Sequence, residues 1–469
     1  MSTVLNQVAN DPSMTGFGSH SAREVEELQK ALSISQNYGT TAPNALTGGS
    51  ALAIEDLDRT LKLVTHGLEH LRLWKDILKE KVTQTVHEYN VQNSYGQEVS
   101  PFFAMGGTPQ ETDANYDREV IQVKYLGTQG QVQHNLTLIQ AAHGPVVARE
   151  VKNKTIELLA RNERAMFEAD STINPLEYDG IFAQINYKQN LASYQSTAFA
   201  GYNTTAENTV IMDQRGGNLD EDVGEEAGLN AVNNFGMPMD MYLGTDIHSE
   251  FSRSYYQKQR VMTGATLVAG QKVKEFSGTL DYRFKPSLFN RPRISPLSVA
   301  VATESAPTIS SPTTPTDANS QFTAANTGTF SYVVSAVYAD GETLPSSAQV
   351  ATPAAGDNVS IVITYSGAPL YFNIFRSAAG ASSGWEYTQR IAPTTSGATY
   401  VIDENAYLPG NAKAFLLMHD PDVLCWKQLG SMIKYDLAVT NTSYMWLQLL
   451  YGTPLVMAPR KNVVLINLT

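Results

Sequence analysis

The chain has 469 residues, 42% of them apolar and 17% charged, and its 46 acidic against 33 basic side chains give a net charge of −13. That length supports more than one domain with a hydrophobic core, and the charge excludes a protein that grips phosphates, which needs clustered Lys and Arg to displace counterions. The single cysteine, Cys425, excludes an intrachain disulfide, and the start MSTVLNQVANDPSMTGFG lacks a basic n-region and an apolar h-region, so a protein made and kept in a cytosol is expected.

Residues 1–50 read as an N-terminal arm. Ser21 and Glu24 form a capping-box pair ahead of Val25, Leu28 and Leu32 at helical spacing, which predicts one short helix. The stretch NYGTTAPNALTGGS that follows is linker by its Gly, Pro and Thr content. A second helix is expected over 51–81, with Glu55 and Asp56 in its first turn, Lys79 and Lys81 in its last, and Leu57, Leu61, Val64, Leu68 and Leu71 between them. Inside it, His66, Glu69 and His70 match the H-x-x-E-H of inverted zinc peptidases; on a helix the histidines would share a face and the glutamate could poise a zinc-bound water. Leu68 and Leu71, however, give an ordinary amphipathic stripe, and no third ligand is in sight. A surface helix is the preferred reading, and no catalytic, cofactor-binding or metal residue is expected in the chain. No G-x-S-x-G elbow, phosphate loop or dinucleotide glycine pattern occurs, and Asp420 and Asp422 about Pro421 read as an Asx-type turn.

The runs VTQTVHEYNVQ and REVIQVKYLG alternate apolar and polar residues and predict an extended hairpin over 82–135. Its tip holds Pro101, Phe102, Phe103 and Met105 beside Gly106 and Gly107. Adjacent phenylalanines on a solvent-facing loop are costly unless a partner covers them, so these four residues are the candidate inter-subunit contacts. The competing reading folds them back onto their own domain. A long helix follows Gly144-Pro145 within a segment 136–180, running to about Asp170 with Val147, Val151, Ile156, Leu159, Met166 and Phe167 along one side. Over 181–302 strands and helices alternate: a short strand in NPLEYDGIFAQI, a helix from Glu221 to Asn234, the strand MDMYLG and a helix from Asp246 to Arg260. That mixture predicts an α+β domain.

Between Lys285 and Lys413 there is no lysine, methionine, histidine or cysteine, whereas both flanks return to mixed charge and Leu/Met-rich runs. The break marks an insertion, residues 303–405, that opens on TESAPTISSPTTPTDANS. Six turn-separated runs then predict a β-sandwich: TFSYVVSAVYA, SSAQVATP, NVSIVITYS, LYFNIFRSA, WEYTQRIA and ATYVIDEN. SYVVSAVYADGETLPS resembles a fibronectin type III or immunoglobulin-like module. Residues 406–469 supply apolar strands expected to complete the sheet interrupted near Arg293, ending on a strand from Asn462 to Leu468.

In this order the elements resemble the major capsid protein of tailed bacteriophages, the Hong Kong 97 type fold, in the form found in large contractile-tailed phages with an immunoglobulin-like insertion. LRLWKDILKE before the hairpin, LEYDGIFAQI after the long helix, LYFNIFRSAAG in the insertion and LLYGTPLVMAPRKNVVLINL at the end carry the likeness, which covers nearly the whole chain from about residue 50. The resemblance implies that 82–135 is an E-loop lying over a neighbouring subunit and that 136–180 holds the spine helix and P-domain. It makes 181–302 the first part of the A-domain, with 406–469 returning to the A- and P-domains. It further implies self-assembly as hexamers and pentamers into an icosahedral virion head around double-stranded DNA, bound without sequence specificity. Portal, scaffolding and decoration proteins would be its partners, with no membrane, cofactor or enzymatic activity. Relatives that weld their shells use an E-loop lysine; none occurs here from Val82 through Val123, so a noncovalent shell is expected. Two alternatives differ in kind: an encapsulin-like compartment shell, and a protein binding host-surface glycans through the insertion, which would project outward near Arg293 and Lys413.

Overall fold

The run SYMWLQLLYGTPLV alternates large side chains and forms the strand Ser443–Val456, around which a five-stranded sheet is built. Lys124–Gln133 pairs antiparallel along one of its edges. Leu424–Gln428 and Ile433–Asp436 pair antiparallel with its two halves, and Leu78–Lys81 adds a parallel strand outside Leu424–Gln428. This computed structural model describes residues 64–96, 99–139, 144–195, 210–259, 275–276, 280–290, 295–394, 398–438 and 441–468. The arm over 1–50 with its helix from Ser21, the start of the 51–81 helix, and Arg293 lie outside them. Residues 65–137 and 147–469 belong to one unit, to which the following applies.

The long helix, Val146–Glu168, lies on one face of this sheet. Gln448 donates to the Val151 carbonyl at 2.9 Å, and Leu158, Leu159, Met166 and Phe167 share a core with Trp426, Leu450 and Val456. Its apolar residues recur three and four apart, so one stripe meets the sheet. The helix expected to reach Lys81 stops sooner. After a 3-10 turn at Leu68–His70 only Arg72–Asp76 is helical, and Leu78–Lys81 is extended. These four residues are a strand because their backbone pairs with Leu424–Gln428, a partner far away in sequence that overrides local propensity.

A second, six-stranded sheet runs in the order Ile211–Asp213, Val463–Leu468, Ala412–Leu417, Asp240–Leu243, Tyr282–Pro286, Glu275–Phe276. Its terminal strand is buried along its whole length. Helix Glu221–Asn233 begins where the Asp220 carboxylate accepts the Val223 amide at 3.0 Å, a regular N-cap. Helix Thr245–Gln259 follows Asp240–Leu243. The strand expected in NPLEYDGIFAQI is instead the helix Ile181–Lys188: Ile181, Gln184 and Ile185 are all buried at helical spacing, a face that an alternating strand would split.

After Pro286 the chain leaves the six-stranded sheet and returns at Ala412, one strand away from where it left. Asn290 ties exit to return, donating to the carbonyls of Tyr242 at 3.0 Å and Lys413 at 3.1 Å. Between these points the chain builds two smaller sheets. In one, Phe330–Tyr338 pairs with Gly341–Glu342, Gln349–Ala351 and Tyr371–Arg376, and Glu386–Ile391 lies outside the last. In the other, Val359–Thr364 lies between Ala398–Asp403 and Thr308–Ile309. Tyr332, Val334 and Ile374 of the first meet Val359, Ile361, Ile363 and Val401 of the second in a core of their own.

Candidate assembly interface

The hairpin forms where alternation predicts it: Val86–Ser94 pairs antiparallel with Asn115–Gln122. Residues directly opposite across an antiparallel pair lie on one face, so His87, Tyr89 and Val91 share a side with Asp117, Glu119 and Ile121. That side faces the body at its base. The Tyr89 and Tyr194 hydroxyls stand 2.5 Å apart, Lys188 donates to Tyr89 at 3.0 Å, and Ser193 donates to Glu119 at 2.8 Å. Lys188 also donates to Gln184 at 3.1 Å and to the Val456 carbonyl at 3.0 Å, joining hairpin, helix and long strand through one ammonium. Burial pushes Lys188 down from its ordinary value of 10.5 to about 8, against the upward pull of Glu119 and Asp179. Tyr89 is pushed up to about 12, again chiefly by burial.

The opposite side carries Val86, Tyr116 and Val120 exposed, with Arg118 paired to Glu88 at 3.4 Å. Beyond the strands the tip has almost no cover. Pro101 is exposed, and Phe102, Phe103 and Met105 are 88%, 58% and 107% exposed. Among the described residues, the hydrogen bonds of residues 101–107 are local, from the Phe102 amide to Ser100 and from the Gly107 amide to the Ala104 carbonyl. Nothing of the body among the described residues covers the side chains of Phe102 and Met105.

A second apolar surface lies on the five-stranded sheet, on the face away from the long helix. By register, Tyr125, Tyr451, Leu449, Leu447, Ile433 and Tyr435 share it. Tyr125 and Tyr451 meet edge to face at 5.1 Å; Tyr125 and Tyr435 are exposed and the others half-buried. Sequence alone does not single out this face or the Lys188 anchor, because each is assembled from segments far apart in the chain.

The histidine motif does not form a site. His66 lies in an irregular segment, its ring edge-on to Phe289 at 5.4 Å, while His70 sits in the 3-10 turn with Nδ1 accepting the Gly67 amide at 3.0 Å. Among the described residues no group of three or more His, Cys, Asp or Glu side chains could hold a metal ion. Asp420 accepts the Asp422 amide at 3.1 Å, the expected Asx turn. Cys425 is buried, and among the described residues no helix is long and apolar enough to cross a membrane.

Known proteins resemble the chain over about nine-tenths of its length. The candidate major capsid protein of Enterococcus phage phiEF24C is 25% identical over 455 residues, covering 90% of this chain and 91% of that one. The major capsid protein of Staphylococcus phage K is 23% identical over 466 residues, covering 92% of each. The chain is similar to phage major capsid proteins over about nine-tenths of its length. No protein-family model matches it. Among solved structures, the capsid of the native GTA particle matches 92% of this chain and 100% of that one at 8% identity, with a TM-score of 0.44.

Proposed function

We propose that this chain is a major capsid protein of a tailed phage, assembling as hexamers and pentamers into the icosahedral head shell around double-stranded DNA. It is a structural protein of the virion and not an enzyme. The observation that carries this reading is the likeness to capsid proteins over nine-tenths of both chains; a shared module would match only in part. Its fold is the Hong Kong 97 type, with the hairpin as E-loop, the long helix as spine and the six-stranded sheet in the A-domain. The two-sheet unit between Pro286 and Ala412 is an inserted immunoglobulin-like β-sandwich on the outer surface. Its partners are further copies of itself, with portal, scaffolding and decoration proteins, and the shell is noncovalent.

The geometry supports assembly in a specific way. An uncovered apolar tip and an uncovered apolar sheet face on one molecule make a head-to-tail contact between copies, the kind that closes into rings. The exposed Phe102, Phe103 and Met105 of one subunit cover a neighbour. A net charge of −13 suits a wall that must not hold the DNA it encloses. Electron microscopy of the protein expressed alone and with a scaffolding partner is the test. Capsomers or closed shells are expected, and protein that stays monomeric in both preparations overturns the reading.

A further inference from the structure

Two arginines fasten the two-sheet unit to the body, and we propose that this unit is a rigid mount whose orientation is set by the C-terminal end of the long helix. The inference does not depend on the chain forming a shell.

The first fastening is Arg390, on strand Glu386–Ile391. Its guanidinium donates to the carbonyl of Glu168, the last residue of the long helix, and pairs with Glu177 at 3.1 Å. The ring of Tyr371 lies 5.3 Å away. The last carbonyls of a helix have no partner within it and carry the negative end of its dipole, so a cation there gains twice. A planar guanidinium that reaches two acceptors fixes angle as well as distance, which a lysine would not.

The second fastening lies where the chain leaves the unit. Arg215, at a positive φ of 52°, is held to Asp213 at 3.1 Å and donates to the Asn405 carbonyl at 3.0 Å. Asn405, itself at φ 62°, accepts from Arg376 at 2.7 Å. Arg376 and Tyr332 both donate to Asp403, at 2.7 and 2.8 Å, in the middle of the inserted core. On the body side Asn467, in the terminal strand, donates to Asp213 at 2.7 Å. A continuous polar line therefore runs from the body's terminal strand to the centre of the insert.

A module joined only by its two connecting chains swings on them. Here two further attachments, on different elements of the unit and of the body, remove that freedom. A displacement of the Glu168 end of the helix is thereby passed to the whole insert, as in the rigid-body transitions that amplify small local shifts.

The test uses the full-length chain, with labelled subunits diluted into an excess of unlabelled ones so that only distances within one subunit are read. Spin labels go on cysteines introduced by Lys152→Cys in the long helix and Thr364→Cys in the insert, both at exposed positions; Cys425 is buried and takes no label. A single narrow distance peak is expected in the otherwise native chain. Arg390→Ala combined with Arg215→Ala should abolish that peak in favour of a broad distribution while near-ultraviolet dichroism stays native, and Arg390→Lys should restore it only in part. Should the double variant fail to fold, Glu177→Gln read in the same way decides, with broadening expected. A broad distribution in the native chain, or a narrow peak that survives loss of the fastenings, overturns the proposal.

Discussion

The carboxylate of Glu163, inside the long helix, accepts the backbone amide of Arg72 at 2.8 Å across 91 positions of sequence. The same side chain takes the amides of Leu73 at 3.3 Å and Trp74 at 3.4 Å. Helix Arg72–Asp76 has no side-chain cap of its own, so a distant residue satisfies its first donors. This contact pins the approach to the first strand onto the body.

Glu163→Ala leaves three amides without an acceptor. At about 1–3 kcal/mol for each buried unsatisfied group, a loss of roughly 3 kcal/mol or more is expected in urea unfolding, with Glu163→Gln milder because one acceptor remains. Burial pushes the Glu163 carboxyl above its ordinary value of 4.5, against the pull of the amides and Ser287. A raised carboxyl contributes stability that is full below 4.5 and is lost as pH rises through the folded value. Glu163→Gln should therefore flatten the fall in stability just above that pH. An unchanged slope would refute the assignment.

Lys188 gives the opposite trend. Its folded value of about 8 lies below the ordinary 10.5, so the unfolded chain holds the proton more tightly between them. Stability from this group rises with pH across that window and is lost as pH falls through about 8. Lys188→Met should remove the rise and also loosen the hairpin base, seen as faster amide exchange around Tyr89. Identical urea midpoints for the two proteins at every pH in the window would count against the anchor.

Two tryptophans rest on glycines of neighbouring strands. Trp446 is the register partner of Gly130, and a Cβ at Gly130 would collide with its indole; a Cβ at Gly452, which stands opposite Gln428, would likewise collide with the indole of Trp426. Both rings are fully buried. Gly130→Ala or Gly452→Ala forces an indole off its rotamer, and overpacking of this kind costs about 1–3 kcal/mol. A melting temperature unchanged by either substitution would mean the sheet relaxes freely there.

The hairpin, the long helix and the insert's strands are legible in the sequence because alternation or helical spacing is strong in each: REVIQV gives Asn115–Gln122, and Phe330–Tyr338 lies inside TFSYVVSAVYA. The failures share one cause. LKEK is extended only because Leu424–Gln428 pairs with it, and the GIFAQI helix shows only once Ile181, Gln184 and Ile185 are seen to point into one core. Of the candidate interface, the tip residues stand out as adjacent apolar side chains in a polar loop. The sheet face and the Lys188 anchor do not, since Tyr125 and Tyr451 become neighbours only through strand register.

The exposed tip allows folding and assembly to be tested apart. Phe102 and Phe103, at 88% and 58% exposed, contribute little to the isolated subunit, and surface substitutions away from special features stay within about 0.5 kcal/mol. Phe102→Ser with Phe103→Ser should therefore leave urea unfolding of the soluble chain unchanged. Burial of apolar surface is worth about 25 cal/mol per Å², and a shell repeats each contact at every subunit, so the same double variant should lose closed particles in sedimentation. Normal yields of shells would show that the tip covers nothing in the assembly. A large loss of subunit stability would show instead that it packs within its own chain.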